Sequence, residues 1–206
     1  MAENYTQVAP NSTGNKMRTR SRTIGANTVH EQGVFQAAVD TWYALADAVA
    51  FAANKQHISI LNASGSGVVV KVRKIFPCNL ALAALTGVAL RFDFKKATAH
   101  AGGTAITPVS ADSTNTALPA QVTVRTGATS VTESSLLWPY TCTNDEVGAT
   151  QAFPSAQLMQ ALNSIPDGNE IQELTLREGE GLTVKQITSS TVGSFGWLMV
   201  FTVETP

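Results

Sequence analysis

The strongest constraint in this chain is a two-residue repeat of apolar side chains. Val88, Leu90, Phe92 and Phe94 alternate with Ala89, Arg91, Asp93 and Lys95. Successive side chains of a strand leave opposite faces of a sheet, so this stretch reads as a strand with one face in a core and the other in water. Trp197, Met199, Phe201 and Val203 repeat the pattern near the carboxyl end. A strand that apolar belongs inside a sheet, because an exposed edge of that kind invites pairing with other chains. Ile58 and Ile60 flank Ser59, and Val68, Val70 and Val72 follow with Lys71 and Arg73 between and after them. Asn62 to Gly67, between these runs, holds residues that tolerate positive φ, so the pair reads as a hairpin. Leu174 and Leu176, then Leu182 and Val184, read as a second hairpin around Glu178-Gly179-Glu180-Gly181. Further strands begin near Val122 and Val131.

About eight strands at short spacing predict an all-β fold, a jelly-roll-like antiparallel β-sandwich with at most one or two short helices. Ser155 to Asn163 is the clearest helical stretch: Leu158, Met159 and Leu162 share a face and Ser155 can cap it. Residues 34–53 admit two readings. Phe35, Val39, Trp42 and Val49 fit a helical stripe; Val39, Thr41, Tyr43 and Leu45 fit a strand, preferred because the rest of the chain is β. Ala97 to Ala120, rich in Gly, Thr, Ser and Pro, reads as a long loop that carries contacts.

The length, 206 residues, suits one domain with an arm. Residues 1–33 hold few large apolar side chains and cannot offset their own ordering entropy, so they are expected to be an extended N-terminal arm lying on something else. Residues 34–206 are the sandwich. In the arm Lys16, Arg18, Arg20 and Arg22 recur every second residue, which puts them on one side of an extended chain. A solvated basic stretch, docking on an acidic groove of a partner protein, and contact with packaged nucleic acid are the three readings. So few charges give nucleic acid only a modest phosphate footprint.

Charged residues are only 14% of the chain and the net charge is −1. The whole molecule therefore has no general attraction to nucleic acid or to an anionic membrane. A surface that is polar but poorly charged suits a subunit whose faces are covered by neighbours. The longest apolar run, Ala44 to Ala53, is short and holds Asp47, so no span across a membrane is expected. The amino end lacks the basic-then-apolar layout of a signal peptide, and use without secretion by the general route is expected. Cys78 and Cys142 read as two partly buried thiols, although one disulfide between them stays open.

The search for chemistry yields no catalytic residue, metal ligand set or cofactor motif, and the expectation is a protein that is not an enzyme. His30, His57 and His100 are scattered, without metal-ligand spacing. His57 leads a strand and belongs in a hydrogen-bond network or at a sheet end; His100 falls in the long loop and reads as exposed. No Gly-x-Ser-x-Gly elbow, P-loop or dinucleotide fingerprint occurs. Glu178 and Glu180 lie in a tight turn and read as solvated; Asp145 and Glu146 are adjacent and diverge in an extended chain. Trp138 and Tyr140 are either an exposed contact patch, as a glycan platform would need, or buried under a loop.

Three stretches taken together carry a resemblance. They are Asn54 to Gly67 with the Val/Lys/Arg strand after it; Gly102-Gly103-Thr104-Ala105-Ile106-Thr107-Pro108 with Leu118-Pro119-Ala120; and Leu176 to Leu182. Their order resembles small jelly-roll structural proteins of tailed bacteriophages, capsid decoration proteins included, over roughly residues 54–204. The resemblance implies a virion location, self-association (often trimeric) and binding to the major capsid protein or another virion protein. It brings no catalytic residues. A subunit of the tail or fibre base, and a carbohydrate-binding or adhesive module using Trp138 and Tyr140, are the rival expectations.

Overall fold

The computed structural model describes residues 19–24, 27–32, 40–78, 88–144, 162–163, 174–189 and 193–204. The chain divides into two units, Met1–Ala38 and Val39–Pro206. In the first, β1 (Thr19–Ile24) and β2 (Asn27–Gln32) form a two-stranded antiparallel ladder. This part of the expected arm is therefore a hairpin rather than a single extended strand. Its backbone polar groups pair with each other, which an isolated extended segment cannot do.

The second unit is two antiparallel sheets. Its strands are β3 (Asp40–Ala50), β4 (Gln56–Asn62), β5 (Val69–Cys78), β6 (Val88–Ala101), β7 (Thr104–Ile106), β8 (Val109–Ser110), β9 (Val122–Thr126), β10 (Ser130–Asn144), β11 (Leu162–Asn163), β12 (Leu174–Leu176), β13 (Glu180–Gln186) and β14 (Ser194–Glu204). One sheet runs β10-β6-β13-β4-β9-β7; the other runs β11-β5-β14-β3-β8, with β12 also on β5. The preference for strand over helix in residues 34–53 holds for β3; residues 34–39 lie outside the described residues. Of the expected helix at Ser155 to Asn163, residues 155–161 also lie outside them. Leu162 and Asn163 instead pair with Ile75 and Lys74 as a strand.

The core lies between the sheets and is built by the alternation seen in the sequence. Leu90, Phe92 and Phe94 on β6, and Trp197, Met199 and Phe201 on β14, are fully buried. The Trp197 ring meets Phe92 edge-on at 5.0 Å and Phe94 at 6.0 Å. Such pairs add about 0.5–1.5 kcal/mol beyond the area they bury. Ile58 and Ile60 from β4 and Val70, Val72 and Ile75 from β5 complete the centre. On β3 the pattern is strict, with Trp42, Ala44 and Ala46 inward and Tyr43, Leu45 and Asp47 outward. It breaks where Asp47 and Ala48 stand opposite a single register step of β14, and Ala48 takes φ 43°.

Both expected hairpins are corrected. β4 pairs with β13 and β9, whereas β5 pairs with β14 and β12, so Asn62–Gly67 carries the chain from one sheet to the other. Likewise β12 lies in the second sheet and β13 in the first. These are corners of the sandwich, and they are tied to each other. The buried Asn62 amide donates to Val68 O (2.9 Å) and Leu176 O (3.1 Å), and Gly179 N donates to Asn62 O (2.7 Å). The Glu178 carboxylate accepts from Gly67 N (2.7 Å) and Gly65 N (3.1 Å). Turn residues supply positive φ for a hairpin and for a corner alike; these cross-links decide for the corner.

The expected loop from Ala97 is also shorter than the composition implies. β6 continues through Ala101, and β7 and β8 occupy Thr104–Ile106 and Val109–Ser110. Gly102 and Gly103 turn the chain between β6 and β7 at φ 70° and 63°. A Cβ on Gly103 would lie 2.3 Å from Thr126 O, so only glycine fits.

Candidate functional site

His57 stands at the centre of the buried polar chemistry. It is 0% exposed at the start of β4, ringed by Phe51, Phe92 and Trp197. The Trp197 indole donates from Nε1 to His57 Nδ1 at 3.2 Å. An indole N–H can only donate, so Nδ1 carries no proton and the neutral ring is protonated on Nε2. That nitrogen donates to Gln186 Oε1 at 3.1 Å. The same oxygen accepts from Ala52 N (3.1 Å), and Gln186 Nε2 donates to Thr188 O (2.9 Å). Burial drives the His57 pKa from 6.5 down to about 4; the Gln186 bond opposes this and nearby Lys55 adds to it. The expected hydrogen-bond network is present, and it locks the loop after β3 to the end of β13.

His100 is corrected from exposed loop to half-buried strand. Its Nδ1 lies 2.8 Å from Ser59 Oγ on β4 and its Nε2 2.7 Å from Thr123 Oγ1 on β9. Burial, then the charge of Arg125, lowers its pKa to about 4. A serine beside an imidazole is the start of a nucleophile and base pair. Here the serine is 1% exposed, and the far nitrogen meets a threonine hydroxyl rather than an orienting carboxylate. The group joins strands.

A second polar knot lies on the same sheet. The Glu133 carboxylate accepts from Gln56 Nε2 (2.7 Å), Lys95 Nζ (2.7 Å) and Lys185 Nζ (2.8 Å), and Thr183 Oγ1 donates to Gln56 Oε1 (2.5 Å). Burial pushes the Glu133 carboxyl upward, but the bonds from Lys185, Lys95 and Gln56 outweigh it and hold the group below the usual carboxylate range. Glu178 is exposed, in keeping with its reading as solvated, and bonds from Gly67 N and Gly65 N lower its carboxyl; Glu180 accepts from Arg177 N (2.9 Å) and lies 3.6 Å from Lys96.

The structure places Trp138 and Tyr140 half-buried on β10. Trp138 stacks on Phe94 at 4.6 Å, and Tyr140 meets Trp197 edge-on at 6.4 Å. One face of the indole is thus used internally. Arg20 and Arg22 fall on β1, at the register positions of Glu31 and Val29; Lys16 and Arg18 lie outside the described residues. Cys78 is a free, half-buried thiol whose pKa burial raises. The Cys142 backbone pairs with Leu90. Asp145 and Glu146 lie outside the described residues. Among the described residues no group of His, Cys, Asp and Glu is arranged to hold a metal ion, and no helix is long and apolar enough to cross a membrane.

Among the described residues four large apolar side chains are exposed, and one of them, Leu136 at 47%, lies on β10 in the first sheet. Tyr43, Leu45 and Val109 are 41%, 48% and 67% exposed. They share the outer face of the second sheet with half-buried Phe76, Leu198 and Val200. Sequence alternation marked Tyr43 and Leu45 as facing one way, but not which way. No family model, curated protein or solved structure matches this chain.

Proposed function

We propose that this chain is a virion structural protein with jelly-roll strand order, a capsid decoration or cement subunit that binds the shell and its own copies. The observation that carries this reading is how its groups are spent. The His57 and His100 imidazoles, Glu133 and Glu178 are committed to internal links between strands and corners, while Tyr43, Leu45 and Val109 are left exposed together on the outer face of the second sheet. That is the economy of a scaffold whose product is adhesion. The resemblance in the corner sequences supports the same reading. Weak contacts repeated by symmetry add through avidity, so no single one need be strong.

In this mechanism the amino-terminal unit reaches a neighbour, with Lys16, Arg18, Arg20 and Arg22 against acidic or polar groups. The test is a deletion of residues 1–33, co-sedimented with particles that lack the protein. The truncated chain is expected to keep its β circular dichroism and lose particle binding. Decoration at full occupancy without these residues removes the arm mechanism. Imaging of labelled particles separates a head position from the tail or fibre base.

A further inference from the structure

We propose that the outer face of β5, β14, β3 and β8 is a two-fold interface between two copies of this chain. It supplies the surface for self-association in the reading above and rests on that reading only for its setting.

The strand registers draw this face as a grid, because directly opposed residues of antiparallel strands share a side. One row is Phe76, Leu198, Leu45; the next is Lys74, Val200, Tyr43, Val109. Strands about 4.8 Å apart and rows about 7 Å apart make this on the order of 250 Å² of nearly continuous apolar surface. A patch of that size is ordinary on a monomer surface, so its area alone names no occupant.

The charges around it select the occupant. At one end Lys71 and Arg73 both pair with Glu204, at 2.7 and 3.3 Å. Two further charges on the grid lie outside this cluster. Lys74 sits on β5, its Nζ 5.9 Å from the centre of the Phe76 ring, and exposed Asp47 sits two residues beyond Leu45 on β3. Among the described residues no ion pair joins either to an opposite charge. They lie diagonally across the patch with Leu198 midway. A two-fold axis in the plane of the interface, passing over Leu198 at right angles to the Lys74–Asp47 diagonal, brings Lys74 of each copy onto Asp47 of the other. One face carrying both halves of a charge pair, symmetric about its own apolar centre, is what an isologous contact requires. The apolar rows supply affinity and the paired rim charges fix orientation.

The test is sedimentation velocity of the purified full chain across a dilution series. The wild type is expected to dimerise. Leu45→Glu is expected to be monomeric with unchanged circular dichroism. Lys74→Glu and Asp47→Lys each set like charges together and are expected to weaken the dimer by about tenfold or more, and the double variant to return it to within about threefold. A wild-type monomer at every concentration overturns the proposal. So do single variants that leave the dimer unchanged, or a double variant no better than either single. A wild-type monomer whose particle binding is lost in Leu45→Glu gives the face to another virion protein, which also overturns it. A dimer that behaves as described but never binds particles keeps the interface and removes the virion reading.

Discussion

Acid should weaken this fold through His57. The folded ring titrates at about 4 because it is buried, against 6.5 when unfolded. Between those values the unfolded chain binds the extra proton, so stability falls as pH falls. The full effect, reached below the folded value, is 2.5 pK units at 1.36 kcal/mol each, about 3.4 kcal/mol. Between pH 7.5 and pH 5.0 the same linkage gives about 2 kcal/mol. Urea unfolding followed by Trp fluorescence at those two pH values measures it. His57→Gln removes the titration. It should be less stable at pH 7.5, since the ring packing and the Trp197 partner are lost, yet lose about 2 kcal/mol less than the wild type on acidification. His100, shifted the same way, is partly exposed and contributes less; being present in both proteins, it cancels. Equal pH dependence in the two proteins would refute the reasoning, because it would mean that His57 is not held neutral by the fold.

Other expectations concern the corners and the bulge. Asn62→Ala breaks both amide bonds across the two corners and should cost about 2–3 kcal/mol in urea unfolding at neutral pH. Gly181→Ala would bring a Cβ to 2.6 Å from Ile60 O, backbone that cannot step aside; thermal unfolding should show a loss of about 1–3 kcal/mol. Ala48→Gly relieves the left-handed φ of 43° and should gain up to about 1 kcal/mol by the same assay, with no loss of dimer.

The strands and their inward faces were legible because each is a local pattern. Leu90 to Phe94 and Trp197 to Phe201 alternate in the sequence and are buried as that alternation demands. The sharing of strands between sheets was not legible. Asn62 to Gly67 has the chemistry of a tight turn, and what makes it a corner is Glu178, more than a hundred residues away. The same distance hid the His57, Gln186 and Trp197 network, whose members carry no common motif. Ser59 alternates with Ile58 and Ile60 and is polar, yet it is buried, and the end of β6 reaches it through His100. The apolar outer grid required knowing that β3 and β5 both flank β14, which no local pattern states.

That placement has a consequence for synthesis. β14 is the last described strand to leave the ribosome, and it lies between β3 and β5 in the middle of its sheet. Until it is made, those two strands have no partner to join them, and the first-made half of the sheet waits with open edges. The sheet therefore cannot close before β14 is made, and its closure is slow as non-local pairing is and prone to capture by other nascent chains. Losing Ser194–Glu204 removes the keystone of the sandwich rather than a fringe.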